Sequence, residues 1–107
     1  MIVHETAEVD PTAQIGPNVV VGAGCKIEAG VRVRNATILA GTTLKAYSLI
    51  TDSIIGWKST VASWSRITDM SVLGQNVNVK EESLLKGVKV LPHVVVTGTH
   101  EDKVIML

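Results

Sequence analysis

Apolar positions recur along this chain with a beat of six, a spacing that suits neither a helix near 3.6 nor a plain strand at 2. Stepping from Val9 by six reaches Ile15, Val21, Ile27, Val33 and Leu39; two steps of five reach Leu44 and Leu49. Steps of six then resume through Ile55, Val61, Ile67, Leu73, Val79, Leu85 and Leu91, and stop at Thr97. All fifteen beat positions are Val, Ile or Leu. The position four after each beat is mostly small, as at Ala13, Cys25, Ser53, Ser59, Ser65 and Ser71. Gly, Pro, Asn and Asp crowd the intervals in DP, GPN, GAG and LGQN, where the backbone must turn. A short strand followed by a corner, repeated, is a hexapeptide β-helix.

Three sides make one triangular coil, so stacked coils give three internal ladders. They read Val9–Ile27–Leu44–Val61–Val79, Ile15–Val33–Leu49–Ile67–Leu85 and Val21–Leu39–Ile55–Leu73–Leu91. The expected fold is therefore all-β: a parallel β-helix of about five coils, roughly 24 Å tall at about 4.8 Å per rung. The expected divisions are a lead-in over 1–8, the β-helix over 9–97 and a tail over 98–107.

Side chains alternate along a strand, so the residue before each inward aliphatic points outward. On one side these residues are Val20, Ile38, Ile54, Val72 and Val90, a continuous apolar stripe. Elsewhere they are mainly polar: Gln14, Lys26, Arg32, Thr43, Ser48, Thr60, Arg66 and Asn78, with Leu84 the exception. Contiguous apolar surface marks contact sites. The stripe is expected to meet another copy, a further domain or the chain's own VIML tail.

Composition narrows the function classes. Phe is absent, so branched aliphatics must build the core. Ten basic and ten acidic residues cancel, leaving no global field for nucleic acid or an anionic membrane. No apolar run approaches a membrane span, and MIVHETAEVD has no signal-peptide pattern. The lone Cys25 cannot form an internal disulfide and suits a reducing, cytoplasmic setting. It occupies a small-residue slot, which reads as a packed thiol rather than a nucleophile.

Other candidate chemistry is sparse. An acyltransferase of this architecture needs a corner histidine as general base. His4 precedes the first coil, His100 follows the last, and His93 belongs to an LPH ending. The same three histidines share no coil spacing that would converge on zinc. Glu81 and Glu82 are adjacent at a corner and should diverge into solvent. Trp57 and Trp64 fall off the beat among polar neighbours. With Arg66 they are candidate interface residues, unless they shield their own corners with Lys58 or Arg66 stacked alongside.

The segment SIIGWKSTVASWSRI resembles the C-terminal domain of eukaryotic-type GDP-mannose pyrophosphorylase, also called mannose-1-phosphate guanylyltransferase. The shared pattern is I/V-x-G-W with W-x-R seven residues after the first Trp. It continues through SVLGQNV, Glu81–Glu82 before LLKG, and VLPH at Val90–His93. The similarity runs from VDPTA at Val9 to the final VIML, with Ala62 where the family usually has Gly. The resemblance implies a left-handed coil and a role in assembly and regulation. It also implies that GTP and a divalent metal such as magnesium belong to a separate nucleotidyltransferase domain. These residues contain no glycine-rich phosphate loop of that kind, so the expectation is no catalytic or cofactor site here. The expected partners are further copies of the chain or that domain. The alternatives are a small trimeric hexapeptide acyltransferase and a non-catalytic β-helix scaffold.

Overall fold

The structure, a computed structural model, describes residues 2–101 together with Val104 and Ile105. Nineteen strands of two or three residues, from Ile2–Val3 to Val104–Ile105, make up the described secondary structure. All pair in parallel, in one sheet of seven strands and two of six. We call these the A face (through Ile54–Ile55), the B face (through Thr60–Val61) and the C face (through Arg66–Thr68). About six turns stack into a prism 34 Å long and 21 × 20 Å across. Paired strands extend into both flanks: Ile2–Val3 pairs with Val20–Val21, and Val104–Ile105 pairs with Lys89–Val90. The β-helix therefore begins before Val9 and continues past 97.

The inner rows define the core. On the A face they run Val3, Val21, Ile38, Ile55, Leu73, Val90 and Ile105. On the B face they run Val9, Ile27, Leu44, Val61, Val79 and Val96. On the C face they run Ile15, Val33, Ile50, Ile67, Leu85 and His100. Burying one such aliphatic contributes about 1.5–3 kcal/mol.

Three expected inner positions are displaced by one residue. Ile38, Ile50 and Val90 point inward, where the beat placed Leu39, Leu49 and Leu91. Each displaced pair is an apolar doublet, so either member satisfies the pattern and only the corner decides. The short steps are Val33 to Ile38, Ile50 to Ile55 and Leu85 to Val90, all on the edge between the C and A faces. There a single residue turns the chain in the left-handed region: Asn35 (φ 46°), Asp52 (φ 48°) and Gly87 (φ 64°). Its N–H is not orphaned. Asn35 donates to the carbonyl of Pro17, Asp52 to Arg34 and Gly87 to Thr68, each one coil back, at 2.9–3.1 Å. Those bonds help hold non-glycine residues in a backbone conformation they rarely adopt.

Small residues fill the slots before the inner rows, seven of them polar and buried: Thr42, Ser48, Ser53, Ser59, Ser65, Ser71 and Ser83. Every one donates its hydroxyl to a backbone carbonyl, at 2.7–3.0 Å. That satisfies groups whose burial would otherwise cost about 1–3 kcal/mol each. Gly56 has a different reason. A Cβ there would collide with the carbonyl of Gly74 on the next coil, so only glycine permits this approach.

Candidate interaction surfaces

Because the inner rows are fixed, the outer rows alone distinguish the three faces. The A-face outer row is Ile2, Val20, Thr37, Ile54, Val72, Lys89 and Val104. Val20, Ile54 and Val72 are exposed as expected. Ile38 and Val90 are not: at 0% and 3% exposure they are core residues, and Thr37 and Lys89 take their places outside. The stripe is therefore shorter than the sequence implied, interrupted by Thr37 and ended by Lys89. Nor do Val104 and Ile105 lie across it. They form its next rung, while Met106 and Leu107 fall outside the described residues.

A groove of about 540 Å³ runs beside this row, lined by Thr37, Ile54, Val72, Met70 and the corner residues Asn35 and Asp52. Its shape follows from corner length. The one-residue turns at Asn35 and Asp52 draw the edge inward, whereas the next corner carries an extra residue. Asp69 and Met70 both adopt positive φ there, and Met70 projects as a lip, 78% exposed.

The C-face outer row is Gln14, Arg32, Leu49, Arg66, Leu84 and Thr99; Leu49, not Ser48, fills the third position. Trp64 is 62% exposed on the adjoining corner. Its ring partner is Tyr47, 17 residues earlier, rather than Lys58 or Arg66: the centroids are 4.8 Å apart and the planes 17° from parallel. Tyr47 in turn covers Gly30, where any Cβ would strike its ring. Stacked aromatics contribute about 0.5–1.5 kcal/mol beyond their burial. A second recess of about 260 Å³ lies between this stack and the arginines, lined by Gly30, Arg32, Tyr47, Leu49, Trp64 and Arg66. Trp57 is 53% exposed at a different corner and belongs to neither recess.

The remaining candidates do not assemble into a centre. His4 bonds Thr6 at 2.8 Å near the start of the prism. His93 pairs with Asn76 at 3.1 Å, and its corner contributes to neither recess. His100 takes the last inner place on the C face, bonding the carbonyl of Thr97 at 2.7 Å; it was expected beyond the last coil. Among the described residues no three His, Cys, Asp or Glu side chains come together as metal ligands. Cys25 is fully buried and its thiol donates to the carbonyl of Leu39 at 3.1 Å. Glu81 and Glu82 are exposed.

Three comparisons bear on this geometry. A family model described as the GMPPB C-terminal domain matches residues 1–105. A probable mannose-1-phosphate guanylyltransferase 3 of Oryza sativa is 43% identical over 93 residues, covering 87% of this chain and 26% of that protein. The catalytic subunit beta of the Danio rerio mannose-1-phosphate guanylyltransferase is 40% identical over 76 residues, covering 70% of this chain and 21% of that protein. The chain thus spans about a quarter of the length of the curated relatives it matches. Among solved structures, the perosamine N-acetyltransferase of Caulobacter crescentus superposes with a TM-score of 0.90 at 22% identity, over 97% of this chain and 52% of that one. The acetyltransferase domain of Neisseria gonorrhoeae PglB gives 0.89 at 22%, over 94% and 50%. At that identity the likeness shows the fold, a left-handed hexapeptide-repeat β-helix.

Proposed function

Since the chain belongs to the GMPPB C-terminal domain family, we propose that it is the assembly and regulatory part of a cytoplasmic mannose-1-phosphate guanylyltransferase. GTP, mannose 1-phosphate and the divalent metal are handled by a nucleotidyltransferase domain, and the β-helix holds such domains in register. The observation that carries this reading is the exposed apolar row Val20, Ile54 and Val72 beside the groove under Met70. Apolar surface of this kind, continuous with a recess, is the chemistry of a protein contact. The row meets either a second copy or the nucleotidyltransferase domain. Trp57, too far round the prism to share that recess, serves a separate contact.

Sedimentation of the wild-type chain beside Ile54→Lys/Val72→Lys tests the reading. Both substitutions point outward, so circular dichroism should be unchanged while association, with itself or with added nucleotidyltransferase domain, is lost. Undiminished association of the double variant with both would sink it. A separate assay for GDP-mannose formation from GTP and mannose 1-phosphate should find no turnover by the chain alone.

A further inference from the structure

The recess on the C face has a chemistry unlike the apolar row and independent of it. Arg32 and Arg66 flank Leu49 in one outer row, with backbones two rungs apart, about 10 Å. Arginine side chains are long enough to converge over the leucine between them. Neither is committed to a carboxylate: the ion pairs among the described residues join Lys45 to Glu28 and Lys86 to Asp69. Two uncommitted guanidiniums on one small surface are a local excess of positive charge in a chain whose net charge is zero. Opposite them stands the Tyr47–Trp64 stack, with one face of Tyr47 on Gly30.

We propose that this recess binds a nucleoside diphosphate. The planar forks of Arg32 and Arg66 can donate charge-assisted hydrogen bonds in pairs to phosphate oxygens. Tyr47 is taken up between Gly30 and Trp64, but Trp64 is 62% exposed and its face away from Tyr47 suits a nucleobase, because every base presents a flat π-face. Leu49 supplies an apolar floor between the two. The size argues for a small molecule. About 260 Å³, just below the usual range of ligand pockets, takes the diphosphate with part of the sugar and leaves the base on the exposed Trp64 ring. An acidic protein segment would use the same arginines, and the experiment separates the two.

In Trp57→Phe, Trp64 is the one remaining indole, because the chain has two tryptophans. Titrating that variant with GDP should quench its fluorescence saturably. Pyrophosphate should compete with GDP, and guanosine should bind far more weakly than GDP. Adding Arg66→Gln or Arg32→Gln should weaken GDP binding roughly ten- to hundredfold, the loss of one or two charge-assisted bonds. Both arginines are exposed, so thermal unfolding should be unchanged and will show that the fold survives. The proposal is overturned if GDP shows no saturable quenching or calorimetric heat, or binds equally well to the glutamine variants. It is also overturned if those variants disperse a complex between chains that GDP leaves untouched, which marks a protein contact instead.

Discussion

The A and C faces are built from the same repeat and differ only outside. Behind both stands an unbroken inner row of branched aliphatics until the last rung. In front, one presents Val20, Ile54 and Val72, while the other presents Arg32, Leu49 and Arg66. Inner positions are constrained by close packing, where a lost methylene is felt. Outer positions are constrained by little except strand propensity. A β-helix therefore separates what holds it up from what it contacts, at adjacent residues of the same strand. The B face supports the point, because its outer row of Glu8, Lys26, Thr43, Thr60, Asn78 and Val95 has neither an aliphatic run nor an arginine pair.

The comparison depends on which member of each apolar doublet faces in, and substitution tests that most severely. Ile38→Ala should cost about 2–5 kcal/mol through lost burial and a cavity, whereas Leu39→Ala, half-buried at the corner, should cost clearly less. Equal losses in urea titrations would reverse the row assignment on that coil. The outer row of the B face gives the control. Thr60→Ala should change stability by no more than about 0.5 kcal/mol, while Ile55→Ala, one side earlier, should match Ile38→Ala. The smallest effect lies at the corner between Val9 and Gln14. Asp10 accepts hydrogen bonds from the hydroxyl and backbone N–H of Thr12, at 2.7 and 2.8 Å, and these hold its carboxyl below the ordinary value of 3.8. Its folded pKa is depressed, so its contribution is present above the unfolded value and lost as pH falls through the folded one. Asp10→Asn should flatten the acid limb of the stability curve slightly below pH 4, as followed by thermal melts.

Much of this was legible in the sequence because the beat reports packing directly. Twelve of the fifteen beat residues occupy inner places, and the three misses are Leu39, Leu49 and Leu91. Hydrophobicity cannot choose within Ile38–Leu39, Leu49–Ile50 or Val90–Leu91; corner geometry chooses, and it depends on Asn35, Asp52 and Gly87. That error moved Ile38 and Val90 to the wrong side and lengthened the apolar stripe. Trp64 and Arg66 were visible as outliers, but Tyr47 and Arg32 were not. Their signal was the coil length: Tyr47 to Trp64 is 17 residues, and Arg32 to Arg66 is twice 17. Two coils of that length follow from the shortened corners, which the beat alone misplaced.

The uneven corners also say where this chain can gain or lose residues over evolutionary time. From Val3 to Val96, A-to-B and B-to-C steps are always six, whereas C-to-A steps are five or six. That edge is a splice point at which a deletion leaves every later side chain in phase. Removing Met70 would convert one corner to the five-residue form seen at Asn35 and Asp52, erasing the lip of the groove but sparing the fold. Removing Ala62, at a B-to-C corner, would shorten a step that stays at six until the last coil, where Val96 to His100 is four, and should leave the chain unfolded by circular dichroism. Length variants among relatives should accordingly collect along one edge of the prism. The surface most open to remodelling by such changes is then the one beside the apolar row.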